Sequence, residues 1–170
     1  MFSDTLLRWL ESIAALKDRW ALNQLLTPLF DRQTSRPLST FGLVIKAGGS
    51  TLAKTGAADA YYIANGVLNK VTAATDMPAL TGISISANNY NVVCFVADSA
   101  GTITALAGKQ ATTIGAVVFP QLPQKKALIG FLLITNGASA FTGGTTALDT
   151  ATTVYFSPTS GFDPACLTGL

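Results

Sequence analysis

Ala127 to Thr135, ALIGFLLIT, is the stretch that most constrains this chain. It is an apolar run without a charge, rich in Ile, Leu and Phe, broken by one glycine, and bounded by Lys125-Lys126 before it and Asn136-Gly137 after it. Such a run reads as a fully buried strand that stops at a turn. A buried helix is the competing reading, but the run is short for one, and Pro120 and Pro123 just upstream disfavour it. Beyond the strand, Phe141 to Asp149 is mostly Gly and Thr and offers almost no group for chemistry. The expectation is a structural β domain.

The surrounding chain repeats the pattern on a smaller scale. Phe41 to Lys46 reads as a strand closed by Ala47-Gly48-Gly49-Ser50, and Asn65-Gly66 between Tyr61-Tyr62-Ile63 and Val67-Leu68 is a tight-hairpin signal. Thr75 to Gly82 is a turn-rich connection. Ile83, Ile85 and Tyr90 to Ala97 supply strand material, and Asp98-Ser99-Ala100-Gly101 reverses the chain into Thr102 to Leu106. Ala116 to Phe119 reads as a short strand halted by prolines, and Thr152 to Phe156 as the last one. About eight short strands with frequent turns predict a mainly β fold, a compact antiparallel β-sandwich or barrel over residues 41–170.

Residues 1–31 differ from all of this. Asp4, Arg8, Glu11, Lys17, Asp18, Arg19 and Asp31 fall here, with both tryptophans. Leu6, Leu10, Ile13 and Trp20 recur at helical spacing, Ser3 or Asp4 can cap the start, and Leu25 and Leu26 continue the apolar stripe until Pro28. This predicts an N-terminal α-helical arm, followed by a polar linker over residues 32–40 (RQTSRPLST). The arm can pack on its own β domain or bundle with copies and dock on a larger assembly. An apolar stripe over more than half a helix needs more than one covering surface, which favours the second reading.

Composition narrows the function. Only 12% of residues are charged while 49% are hydrophobic, which suits a surface covered by copies of the same chain or by another protein. Mean hydropathy is +0.41, yet turns break every long uncharged stretch, so no membrane span and no membrane partner are expected. Charges interrupt any signal-like core at the N-terminus. The net charge of +2 is spread out, so no nucleic-acid partner is expected. Cys94, in NVVCFVA, reads as a buried thiol, and Cys94 and Cys166 have no metal-like spacing.

Enzymatic readings find little support. There is no His, and beyond residue 40 there is no Glu, which leaves Asp59, Asp76, Asp98, Asp149 and Asp163. Asp98 and Asp149 sit at turn positions, where Asp bonds its own backbone. A Ser or Cys nucleophile has no His partner, and Gly48-Gly49 and Gly143-Gly144 lack the lysine and the strand-to-helix setting of a phosphate loop. No catalytic, metal or cofactor residues are expected, and no cofactor. Tyr61, Tyr62, Tyr90 and Phe141 could face a sugar, but aromatic residues in strands more often serve core or interface.

One resemblance bears on function. The segments YNVVCFVADSAGTITALAG, GAVVFPQLPQKKALIGFLLITN and FTGGTTALDTATTVYFSPTSGFDP carry a recurring framework. Its pieces are Asp98-Ser99, Phe119-Pro120 with Pro123, Ile129-Gly130-Phe131, Phe141 to Asp149, and Tyr155. Over Phe41 to Pro164 the chain resembles a module of tailed-bacteriophage virion structural proteins. The resemblance implies a trimeric capsid-decorating or head-fibre protein, made in the host cytoplasm and located on the virion. Its expected partners are its own copies and the major capsid protein or another virion protein. Leu6, Leu10, Ile13, Trp20, Leu25 and Leu26 of the arm are the expected contacts with copies or shell. The rival expectation is a tail-fibre or baseplate module that binds a host receptor or glycan.

Overall fold

In the computed structural model, which describes residues 26–27, 30–31 and 33–158, the chain divides into two units between Phe30 and Asp31. Of the first unit, Leu26, Thr27 and Phe30 are helical. The second is mainly β, with antiparallel sheets. Its strands among the described residues are β1 (Arg36–Pro37), β2 (Val44–Ile45), β3 (Ala53–Lys54), β4 (Ala60–Ala64), β5 (Val67–Val71), β6 (Ser84–Ile85), β7 (Tyr90–Ala97), β8 (Ile103–Ala107), β9 (Ala127–Thr135), β10 (Phe141–Thr142) and β11 (Thr152–Phe156). A four-stranded sheet runs β11-β9-β7-β8, a three-stranded sheet runs β1-β4-β5, and β2-β3 and β10-β6 form two short ribbons.

The long apolar run is β9, and it lies inside the four-stranded sheet between β7 and β11. An interior strand has both edges hydrogen-bonded, so its side chains can be apolar on both faces. Ala127, Ile129, Leu132 and Ile134 face the main core, where they meet Val93, Phe95 and Ala97 of β7. Leu128 and Phe131 face the other way, with Cys94 and Val96. The alternation changes phase once, because Phe95 and Val96 pair with Gly130 and Leu128 and leave Ile129 as the extra residue of a bulge. Gly130 stands at that bulge for lack of room: a Cβ there would overlap the Leu43 side chain and come 2.7 Å from the Phe156 carbonyl oxygen.

The three-stranded sheet contributes Ala60, Tyr62 and Ala64 to the same core. Tyr62 is fully buried, and its hydroxyl donates to the Asp98 carbonyl at 2.9 Å, at the turn between β7 and β8. That turn is shaped as the sequence predicts. The Asp98 carboxylate accepts the N–H groups of Ala100 and Thr102 at 3.0 and 2.9 Å. The β4–β5 hairpin also forms on its Asn65-Gly66 signal, with φ of 51° and 77° at the two residues, as a type I′ turn requires.

Four expectations are corrected. Residues 32–40 are not a spacer in their described part. Arg36 and Pro37 pair with Ile63 and Tyr62, Ser35 is buried, and the hydroxyls of Ser35 and Ser39 accept the N–H groups of Asn65 and Tyr61. A polar composition fitted this role because those hydroxyls satisfy backbone donors of the hairpin. Ala116 to Phe119 is not a strand. Ile114–Ala116 is a short 3-10 turn, and only Val118 makes a bridge, to Lys109. Phe41 to Lys46 keeps just Val44–Ile45 as strand, while Phe41 and Leu43 enter the core. The Gly- and Thr-rich segment after β9, whose reading as structural needs no correction, is packing material: Phe141 and Leu148 are fully buried, and a Cβ on Gly143 would overlap the Leu80 carbonyl. Asp149 does not bond its own turn, since its carboxylate accepts the Gly49 N–H at 2.7 Å, far away in sequence.

Candidate functional site

The four-stranded sheet has an outer face that the described residues of its own domain cover only in part. Phe131 is its centre, stacked on Phe156 of β11 (centroids 4.6 Å, planes 13° apart) and met edge-on by Phe119 (5.2 Å, 83°). Phe119 and Leu122 close the face over Cys94, Val96 and Leu128, beside Leu106 of β8. Toward the other end the cover by described residues stops. A groove of about 150 Å³ remains, floored by Val92, Phe131 and Leu133 and walled by Ile114, Val117, Phe119 and Phe156. Among the described residues no titratable group lines it. Ile114 is 59% exposed, and Val118, Val154 and Phe156 stand exposed around it.

Small-molecule pockets usually enclose about 300–1,000 Å³ and carry a few convergent polar groups. Among the described residues this groove has neither the volume nor the polar groups. It suits one or two apolar side chains of a polypeptide.

A second apolar surface lies on the three-stranded sheet. Strand alternation sends Ala60, Tyr62 and Ala64 inward, and Tyr61 and Ile63 outward beside their partners Lys70 and Leu68. Leu68 is 63% exposed, and Tyr61 and Leu38 are exposed as well. Leu38 is held beside Tyr61 because its N–H donates to the Tyr61 carbonyl at 2.9 Å. An Asp59–Lys70 ion pair borders this surface. The Lys70 ammonium and the Ala73 N–H bonded to the Asp59 carboxylate hold its pKa below the usual value, and the same pair raises that of Lys70.

Polar groups elsewhere serve structure. The Asp31 carboxylate is buried and accepts the Lys125 N–H with both oxygens, at 2.8 and 3.0 Å, where Lys125 takes a left-handed φ of 61°. Asn136 donates its side-chain amide to the Ile85 and Ser86 carbonyls. Burial raises the pKa of Tyr62 and of Tyr155, with Asp98 and Asp149 adding to the effect. Among the described residues no group of three or more His, Cys, Asp or Glu could hold a metal ion, and no helix is long and apolar enough to cross a membrane.

Of the arm residues expected to make contacts, Leu6, Leu10, Ile13, Trp20 and Leu25 lie outside the described residues. Leu26 is helical and 36% exposed. Sequence reasoning missed both sheet surfaces. A signal for the first was present: β9 is apolar at both parities, so its second face needs cover, and Val154 and Phe156 sit two apart in the neighbouring strand. No family model, curated protein or solved structure matches the chain.

Proposed function

We propose that this chain is a non-enzymatic structural component of a bacteriophage virion, a homotrimeric capsid-decorating or head-fibre protein. Its work is binding: copies to one another and to the shell, with residues 1–31 as the attaching arm. The observation that carries the assembly part is the exposed apolar surface of the three-stranded sheet, Leu38, Tyr61 and Leu68, on a chain with few charges to keep it solvated. Closed rotational symmetry hides such a surface in every copy at once. Antiparallel sheets that share one core support the reading of a sandwich-like body, which suits a rigid repeated part. The virion assignment rests on the framework residues that resemble phage structural modules.

Light scattering on the purified full chain, with mass spectrometry of purified phage particles that encode it, tests this proposal. A trimer in solution and a copy number comparable with that of the shell protein are expected. A monomer at every concentration, together with absence from the particles, overturns it.

A further inference from the structure

We propose that Asn65-Gly66, at the tip of the β4–β5 hairpin, is a site of self-modification, where the asparagine side chain closes on the backbone and converts to aspartate and isoaspartate. This is independent of the assembly proposed above. The chain has two Asn-Gly dipeptides, Asn65-Gly66 and Asn136-Gly137. Glycine leaves the nitrogen that follows the asparagine unhindered, so both are chemically prone to the reaction. The fold treats them oppositely. At the hairpin tip both residues are exposed, and the Asn65 side-chain amide makes no hydrogen bond among the described residues. The Asn65 N–H donates to the Ser35 hydroxyl and the Gly66 N–H to the Thr34 carbonyl, each at 3.0 Å. Bonds at an exposed tip open without disturbing the core. Asn136, by contrast, is 8% exposed, and its side-chain amide donates to the Ile85 and Ser86 carbonyls at 3.1 and 3.2 Å. Turning that side chain toward the Gly137 nitrogen would break both bonds and leave two carbonyls without that donor.

The reaction needs only water. When the tip opens, the Gly66 N–H gives its proton to hydroxide and the nitrogen attacks Cγ of Asn65. A C–N bond forms, the bond from Cγ to the side-chain nitrogen breaks, and ammonia leaves with a proton taken from water. One water molecule then opens the succinimide ring. Addition at the former side-chain carbonyl returns aspartate at position 65. Addition at the main-chain carbonyl leaves isoaspartate, whose chain runs through Cγ. The net change is amide plus water to carboxylate plus ammonium, with no oxidation or reduction. The hairpin answers the two products differently. Asp-Gly suits a type I′ turn as Asn-Gly does, so the aspartate form keeps the hairpin. Isoaspartate puts an extra main-chain carbon between the bonds to Ser35 and Thr34, and the turn cannot hold both with Ala64 and Val67 in register.

Peptide mapping of the folded full chain after warm incubation at mildly alkaline pH tests the proposal, with fragmentation that separates aspartate from isoaspartate. Acid of both kinds should accumulate at position 65, faster as pH rises, while position 136 stays an amide. In denaturant both positions should convert at similar rates, because the protection at 136 belongs to the fold. A position 65 that keeps its amide in the folded chain overturns the proposal. So does folded-state conversion at 136 as fast as at 65. A position 136 that resists equally in denaturant also overturns it, since the difference would then lie in the local sequence. Hydrogen exchange on the separated products reads the consequence for the turn. The Gly66 N–H should exchange faster in isoaspartate chains than in aspartate chains, and equal exchange overturns the claim that the longer chain breaks the turn.

Discussion

The two faces of the four-stranded sheet are built from the same strands and nearly the same residue types, yet they behave as different materials. On the inner face, Val93, Phe95, Ile129, Leu132 and Ile134 are closed in by Tyr62, Phe41, Met77, Leu80 and Phe141. On the outer face, Phe131, Leu133, Val154 and Phe156 have company on one side and a groove on the other. Hydrophobicity does not separate them. What separates them is whether another part of the chain returns to cover the surface. The inner face is visited by loops and strands from both sides in sequence, the outer face by Ile114 to Leu122 alone among the described residues. An apolar face is a core only where topology completes it.

Substitutions should expose this difference, the inner face responding most. Leu132→Ala removes a fully buried side chain and should cost about 3–4 kcal/mol. In a chain of this size that lowers the melting temperature by roughly 10 °C, readable by circular dichroism. A loss below about 1 kcal/mol would mean that the inner face is no better packed than the outer. Gly130→Ala probes the seam between the faces. Its methyl meets Leu43 on one side and the Phe156 carbonyl on the other, and the backbone cannot yield as a side chain can. A cost of about 2–3 kcal/mol is expected in denaturant unfolding.

Tyr62→Phe should cost about 1 kcal/mol near neutral pH, for one hydrogen bond lost and the Asp98 carbonyl left without that donor. Its pH dependence is more telling. Burial raises the Tyr62 pKa above its usual value near 10, so its contribution is fully present below that pH. The contribution is lost as pH rises through the higher folded value. The variant should therefore show a shallower alkaline decline in stability than the parent, though not a flat one, because Tyr155 is raised as well.

Smallest of all, Val154→Thr keeps the branched shape on the exposed outer face and should change stability by under about 0.5 kcal/mol. A change as large as that at Leu132 would erase the distinction between the faces.

Individual residues show how much could be read beforehand. β7, β9 and β11 have the bounds the sequence suggests, and the Asn65-Gly66 hairpin forms where its turn chemistry places it. These are local facts: an uncharged run long enough for a strand, and a dipeptide that tolerates positive φ. Ser35 to Ser39 misled because hydroxyls look the same in a linker and in a strand end that caps a neighbour's backbone. Ala116 to Phe119 misled because apolar residues before a proline suit either a strand or a cover for someone else's sheet. The sheet surfaces stayed hidden because exposure depends on which segments come back, and that is not a property of the exposed residues.

By itself, then, the sequence determined that this would be an antiparallel β protein, where its longest strands lie, and that it would have more apolar surface than charge to dress it. Those follow from backbone preference, side-chain alternation and composition, which act over a few residues. Only the tertiary structure decided that Gly130 must carry no side chain, that Asp31 would answer the N–H of Lys125, and that among the described residues one face of the central sheet would be finished as core and the other closed only in part. Each of these joins segments tens of residues apart, and such meetings are fixed by the packing of the whole chain.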